Sequence, residues 1–163
     1  MTNLYLKKRN LLALIRDKKF VLTGSFTNLI YNRSYGRLPN DIDLSVANRS
    51  DYKDIRETII HSHAYKIVDE LNIGETSRLI LSSGNKSFSV EATIEDIPFR
   101  TSILPSIFGF DSSFLLKSID FDLYIAAKLY TYFLTIAENN FGDQKLILNE
   151  NVEFVRKLIR SLF

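Results

Sequence analysis

The sequence predicts an α/β (α+β) fold: a mixed, twisted sheet flanked by helices and followed by C-terminal helices. Three observations predict it. Within residues 20–47 an apolar run, a Gly-Ser turn, a helical stretch and a second apolar run follow one another, the order of a strand–helix–strand unit. Residues 86–94 alternate without a break, with Phe88, Val90, Ala92 and Ile94 on one face and Ser87, Ser89, Glu91 and Thr93 on the other, which is the period of a half-buried strand. Residues 120–138 then form a long apolar segment of helical length.

Each element has its own warrant. Residues 4–16 read as an amphipathic helix with Leu4, Leu11, Leu12, Leu14 and Ile15 inward and a solvated basic face. Residues 20–23 are the first strand, 25–32 the helix after the turn, and 41–47 the second strand. Ser50, followed by Asp51 and Asp54, opens a capped helix that runs to about residue 62. Strands are expected at 65–71 and 76–82, with Gly84-Asn85 as the hairpin turn into 86–94. A short strand at 99–104 ends before Pro105. A helix over 120–138, buried in the core, and a last helix starting at Asn149 or Asn151 complete the chain. The expected organisation is a core domain over 1–115 and a helical segment over 116–163 packed on it.

Composition excludes several classes of protein. The chain has 163 residues, enough for one core. It has no Cys, so disulfides and thiolate metal sites are excluded and nothing suggests secretion. His61 and His63 are its only histidines, and neither stands near a plausible nucleophile, so a Ser-His-Asp hydrolase is not expected. Placed at the end of an expected helix, they suit its negative dipole end better than a metal. The net charge of +2 is too small to argue for nucleic acid. Residues 1–19 lack the apolar core and cleavage site of a signal peptide, and residues 121–137, interrupted by Asp122 and Lys128, fall short of the roughly 20 apolar residues of a membrane span. A cytoplasmic protein with no membrane partner is the expectation.

Chemistry concentrates between residues 20 and 46. Gly24 permits a sharp turn and a close ligand approach. Ser25 can cap the helix behind it and leave backbone N–H groups facing outward, an anion site that suits a triphosphate. Asp41 and Asp43 are two apart, so on a strand their carboxylates share a face while Ile42 and Leu44 point inward. Two adjacent like charges are unfavourable unless a cation lies between them, and hard oxygen ligands favour Mg²⁺. The bland alternative is a strand–helix–strand unit with a solvated acidic edge.

This pattern resembles the nucleotidyltransferase superfamily, with its Gly-Ser turn and Asp-x-Asp strand. More narrowly it is similar to the AbiEii-type branch, the toxins of type IV toxin–antitoxin systems, in which an Arg stands four residues before the first Asp. Arg37 occupies that place in Arg37-Leu-Pro-Asn-Asp. Two positions depart from the pattern: Thr23-Gly24-Ser25 replaces Gly-Gly-Thr, and Pro39 replaces a Ser or Thr. The resemblance covers about residues 20–134 and implies a nucleotidyltransferase fold that moves NMP from an NTP to a hydroxyl. It implies two Mg²⁺ ions, with Mn²⁺ as the alternative, held by Asp41, Asp43 and a third carboxylate from a neighbouring strand. Glu91 is the best candidate for the third, where the family more often has Asp. Glu95 and Asp96 are its rivals but read as turn residues beside Pro98.

Lys128, the only cation between Ser118 and Gln144, follows Ala126 and Ala127 in an apolar helix. By resemblance it approaches nucleotide phosphate; otherwise it pairs with Asp122 or Glu138, or reaches water. Arg37 contacts a phosphate or braces the loop ahead of Asp41. Past Lys128 the likeness fades, and Asp143 is the one stand-in for a later acidic pair. The branch further implies a toxin or phage-defence role, an antitoxin partner and a tRNA 3′ end as acceptor. Two alternatives stay open: an antibiotic-modifying enzyme with the same site, and an inactive relative that binds nucleotide or protein.

Overall fold

The computed structural model describes residues 2–31, 38–107, 109 and 111–137. Arg37, Asp143 and the expected last helix lie outside them. Four helices and seven strands follow in the order α1 (Thr2–Ile15), β1 (Val21–Thr23), α2 (Gly24–Tyr31), β2 (Ile42–Val46), α3 (Arg49–His61), β3 (Lys66–Ile73), β4 (Thr76–Ser83), β5 (Lys86–Ile94), β6 (Phe99–Leu104), β7 (Phe114–Ile119) and α4 (Phe121–Ala137). All strands join one mixed sheet in the order β3-β4-β5-β2-β1-β7-β6. β2 is antiparallel to β1 and parallel to β5, while β1 is parallel to β7. The chain has the α/β architecture that its sequence predicts.

Strand alternation divides the sheet into two faces. Leu22, Ile42, Leu44, Val46, Val90 and Ala92 point to the face covered by α1, α2 and α3, where Leu11, Leu12, Phe26 and Ile55 complete the main core. Each buried Val, Leu or Ile among them contributes about 1.5–3 kcal/mol by leaving water. The opposite face carries Val21, Thr23, Asp43, Ser45 and Glu91, and α4 lies across part of it with Tyr124 and Ile125 packed on Val21 and Ile119. One face of the sheet therefore builds the core and the other presents the polar residues.

Several expectations need correction. The basic face of α1 is not wholly solvated, because Lys8 and Arg9 are each only 2% exposed. Helical spacing explains it: Lys8 continues the stripe of Leu4, Leu11 and Ile15, and Arg9 that of Tyr5 and Leu12. Arg9 pairs with Asp111 at 2.8 Å and donates to the Pro105 carbonyl at 2.8 Å, tying α1 to the β6–β7 connection. Leu14, expected inside, is exposed. The cap of α3 is Asn48 rather than Ser50; its Oδ1 accepts from the N–H groups of Ser50 and Asp51. β7 is a strand that the sequence reading lacks, and α4 is only half-buried, with Tyr130 and Thr131 exposed. Among the described residues no helix is long and apolar enough to cross a membrane.

Candidate active site

β1 ends at Thr23, and the chain turns at Gly24 with φ of +60°, a conformation that a side chain would strain. The turn also leaves no room for one: a Cβ at Gly24 would lie 1.7 Å from Asp43 Oδ2. Glycine is thus required twice, by its dihedral angle and by the carboxylate seated against it. The Ser25 backbone N–H donates to that carboxylate, so Asp43 itself takes part of the anion site at the start of α2. Among the described residues Ser25 does not make the expected capping bond: its hydroxyl is buried without a hydrogen-bond partner, and Asn28 one turn later is fully buried with both amide atoms unpartnered.

Strand register sets the rest of the row. Thr23, Asp43, Glu91 and Arg78 are successive partners across β1, β2, β5 and β4. Asp41 lies one residue before β2 begins. Burial, followed by the charges of Asp41 and Glu91, pushes the Asp43 carboxyl up to about 6, and the Ser25 N–H and the Lys128 ammonium offset only part of this. The structure thus brings together Gly24, Ser25, Asp41, Asp43, Glu91 and Lys128 of the expected set. Glu91, however, is ion-paired to Arg78 across the strands. Among the described residues no three Asp, Glu or His side chains gather tightly enough to cage an ion.

A cleft of about 350 Å³ opens between the sheet and α4, lined by Gly24, Asp43, Glu95, Tyr124, Lys128 and Thr131 among others. Lys128 lies over the Tyr124 ring with Nζ 5.7 Å from its centre. Glu95 is not merely a turn residue: its Oε1 accepts from Ser45 Oγ at 2.6 Å, and it faces the same cleft as Asp43. The sequence signal was available, since Glu95 continues the 91, 93 alternation beyond the end of β5. A second residue missed is Lys8, whose Nζ donates to the Pro39 carbonyl at 2.7 Å. A larger cleft of about 590 Å³ beside α3 is lined by Arg49, Lys53, Arg56, Glu57 and Glu70, and Glu70 is already bonded to Tyr52 and Arg56.

Two of the residues present, Asp41 and Asp43, have the donor chemistry of a divalent-cation site. Asp41 and Asp43 supply hard oxygen donors in mutual repulsion that a cation would relieve. The space a Cβ would take at Gly24 is filled by the Asp43 carboxylate, and the Ser25 hydroxyl next to it is buried with no partner among the described residues.

No family model and no curated protein matches this sequence. Two solved structures resemble it. One is a candidate nucleotidyltransferase from H. pylori, at 15% identity and a TM-score of 0.51, covering 78% of this chain; the chain spans 57% of that protein's length. The other is ANT(2″)-Ia in complex with adenylyl-2″-tobramycin, at 15% identity and a TM-score of 0.52, covering 98% of both chains. The likeness is one of architecture, and the chain has the α/β fold of the nucleotidyltransferases.

Proposed function

We propose that the protein is a nucleotidyltransferase that moves NMP from an NTP to a hydroxyl acceptor. The observation that carries the reading is the Asp43 carboxylate, lodged against bare Gly24 and beside Asp41 and Glu91 at the start of α2. Nothing in the packing of the described residues requires Asp41 and Asp43 side by side, and their repulsion is a standing cost. Asp41 and Asp43 would hold Mg²⁺, with Glu91 joining them after exchanging Arg78 for the ion. The ion, when bound, supplies charge neutralisation at the α-phosphate and at the departing pyrophosphate. Ser25 and the Gly24 turn bind the β- and γ-phosphates, and Lys128, facing the same cleft, balances their charge. Glu91, in register beside Asp43, orients the acceptor hydroxyl and takes its proton. The acceptor oxygen bonds to the α-phosphorus as the bond to the bridging oxygen of pyrophosphate breaks.

Two acceptors are in view. The Arg37-Leu-Pro-Asn-Asp motif supports a toxin or phage-defence enzyme with an RNA acceptor, such as a tRNA 3′ end, and an antitoxin partner. The end-to-end match with ANT(2″)-Ia, whose structure holds an adenylylated tobramycin, supports a small hydroxyl acceptor. Incubation with each α-labelled NTP, Mg²⁺ and either total tRNA or an aminoglycoside tests both. Label transferred by the wild type and not by Asp41→Ala/Asp43→Ala supports the reading and names the acceptor. Absence of Mg²⁺-dependent NTP binding by the folded protein overturns it.

A further inference from the structure

Lys8 is a lysine 2% exposed to solvent in the middle of the core stripe of α1. A buried ammonium is costly unless it is hydrogen-bonded and balanced by an opposite charge. Its hydrogen bond goes to the Pro39 carbonyl at 2.7 Å, two residues before Asp41. Burial lowers its proton affinity, and the charge of Asp41, two residues beyond the carbonyl it holds, partly restores it. Pro39 itself has no N–H to donate, and this contact ties the segment entering β2 to α1. Nothing in the packing of α1 requires a charge here: Leu4, Leu11 and Ile15 fill the same stripe with hydrocarbon.

On the reading of Asp41 and Asp43 as a cation site, we propose that Lys8 is a positioning residue for that pair: its buried ammonium, held on the Pro39 carbonyl, fixes Asp41 beside Asp43 and moderates the pull of the two carboxylates on a divalent ion. Lys8 reaches the backbone behind the carboxylate, and so acts through Asp41. A site of two unmoderated carboxylates would bind an ion tightly in any geometry; a fixed cation behind one of them trades affinity for placement. The effect is opposite on binding and on turnover, which a merely structural role would not produce.

Mn²⁺ binding measured by electron paramagnetic resonance, together with turnover, tests this on the full chain. Lys8→Met, which keeps the volume and removes the charge, is expected to bind Mn²⁺ about three- to tenfold more tightly. Its kcat at saturating metal and nucleotide is expected to fall at least tenfold, with KM for NTP within about twofold of wild type. If Lys8→Met does not fold, the wild type still decides the matter: the ¹⁵N resonance of the Lys8 ammonium shifts on Mg²⁺ addition if Asp41 beside it takes the ion, and does not in Asp41→Asn. Unchanged Mn²⁺ affinity and kcat in Lys8→Met, or a Lys8 resonance that ignores bound Mg²⁺, overturns the positioning role. A wild type that binds no Mn²⁺ at all instead contradicts the transferase reading on which the role rests.

Discussion

Replacing Asp43 by Asn stabilises the ion-free protein at neutral pH, although it removes a residue central to the site. The carboxyl rises from 3.8 to about 6 through burial and the charges of Asp41 and Glu91. At about 1.4 kcal/mol per unit, that displacement amounts to about 3 kcal/mol. The folded-state value is raised, so between about pH 4 and pH 6 the folded protein keeps a proton that the unfolded chain has already released. Stability therefore falls as pH rises through that window, and above it the full cost of an ionised Asp43 is present. The amide of Asp43→Asn never ionises, and its side-chain oxygen still accepts from the Ser25 N–H. Urea denaturation at pH 8 is expected to show Asp43→Asn more stable than wild type by up to about 3 kcal/mol, or roughly 6–12 °C in Tm for a chain of this size. At pH 4 the difference should vanish. Adding Mg²⁺ at pH 8 should raise the wild type and leave the variant unmoved. A variant less stable than wild type at pH 8, or a difference independent of pH, refutes the argument that like charges crowd Asp43.

Other substitutions probe separate links. Gly24→Ala forces a Cβ into the Asp43 carboxylate and strains a positive φ, so it costs about 1–3 kcal/mol in urea melts and abolishes Mg²⁺-dependent nucleotide binding by calorimetry. Arg9→Met takes the guanidinium away from the buried Asp111 carboxylate and costs about 3–5 kcal/mol in the same melts, with nucleotide affinity affected only through folding. Lys128→Ala changes stability by less than about 1 kcal/mol, since α4 is half-buried there, while KM for NTP rises at least tenfold. Tyr52→Phe removes the hydrogen bond to Glu70 and costs about 1 kcal/mol.

Legibility in the sequence follows periodicity. The strict alternation of residues 86–94 matches β5 at its observed limits, whereas the strand expected from Asp41 starts one residue later at Ile42, so the two-residue period fixes the face of Asp43 but not that of Asp41. β7 escapes because Leu115 and Lys117 alternate with Leu116 and Ser118: the buried face includes a serine and the exposed face a leucine, so the pattern carries no polarity. Ser118 is buried there because Ser102 lies 2.7 Å away across the sheet, a partner that no local window contains. Residue type sends Lys8 and Arg9 to solvent, whereas their helical positions put them inside. Ser50 loses the cap to Asn48 because both are good cap residues, and the extended backbone at Asn48 settles the choice. Glu91 falls on the expected face, but Arg78 opposite it depends on the β4–β5 register, which a composition argument does not supply.

Isothermal calorimetry of each NTP, with and without Mg²⁺, on the wild type and on Asp41→Ala/Asp43→Ala decides whether these two carboxylates and the Gly24 turn form a metal–nucleotide site. The expected result is binding of at least one NTP that requires Mg²⁺ and disappears in the folded double variant. Binding that persists in the double variant, or none to any NTP by the folded wild type, contradicts the existence of that site.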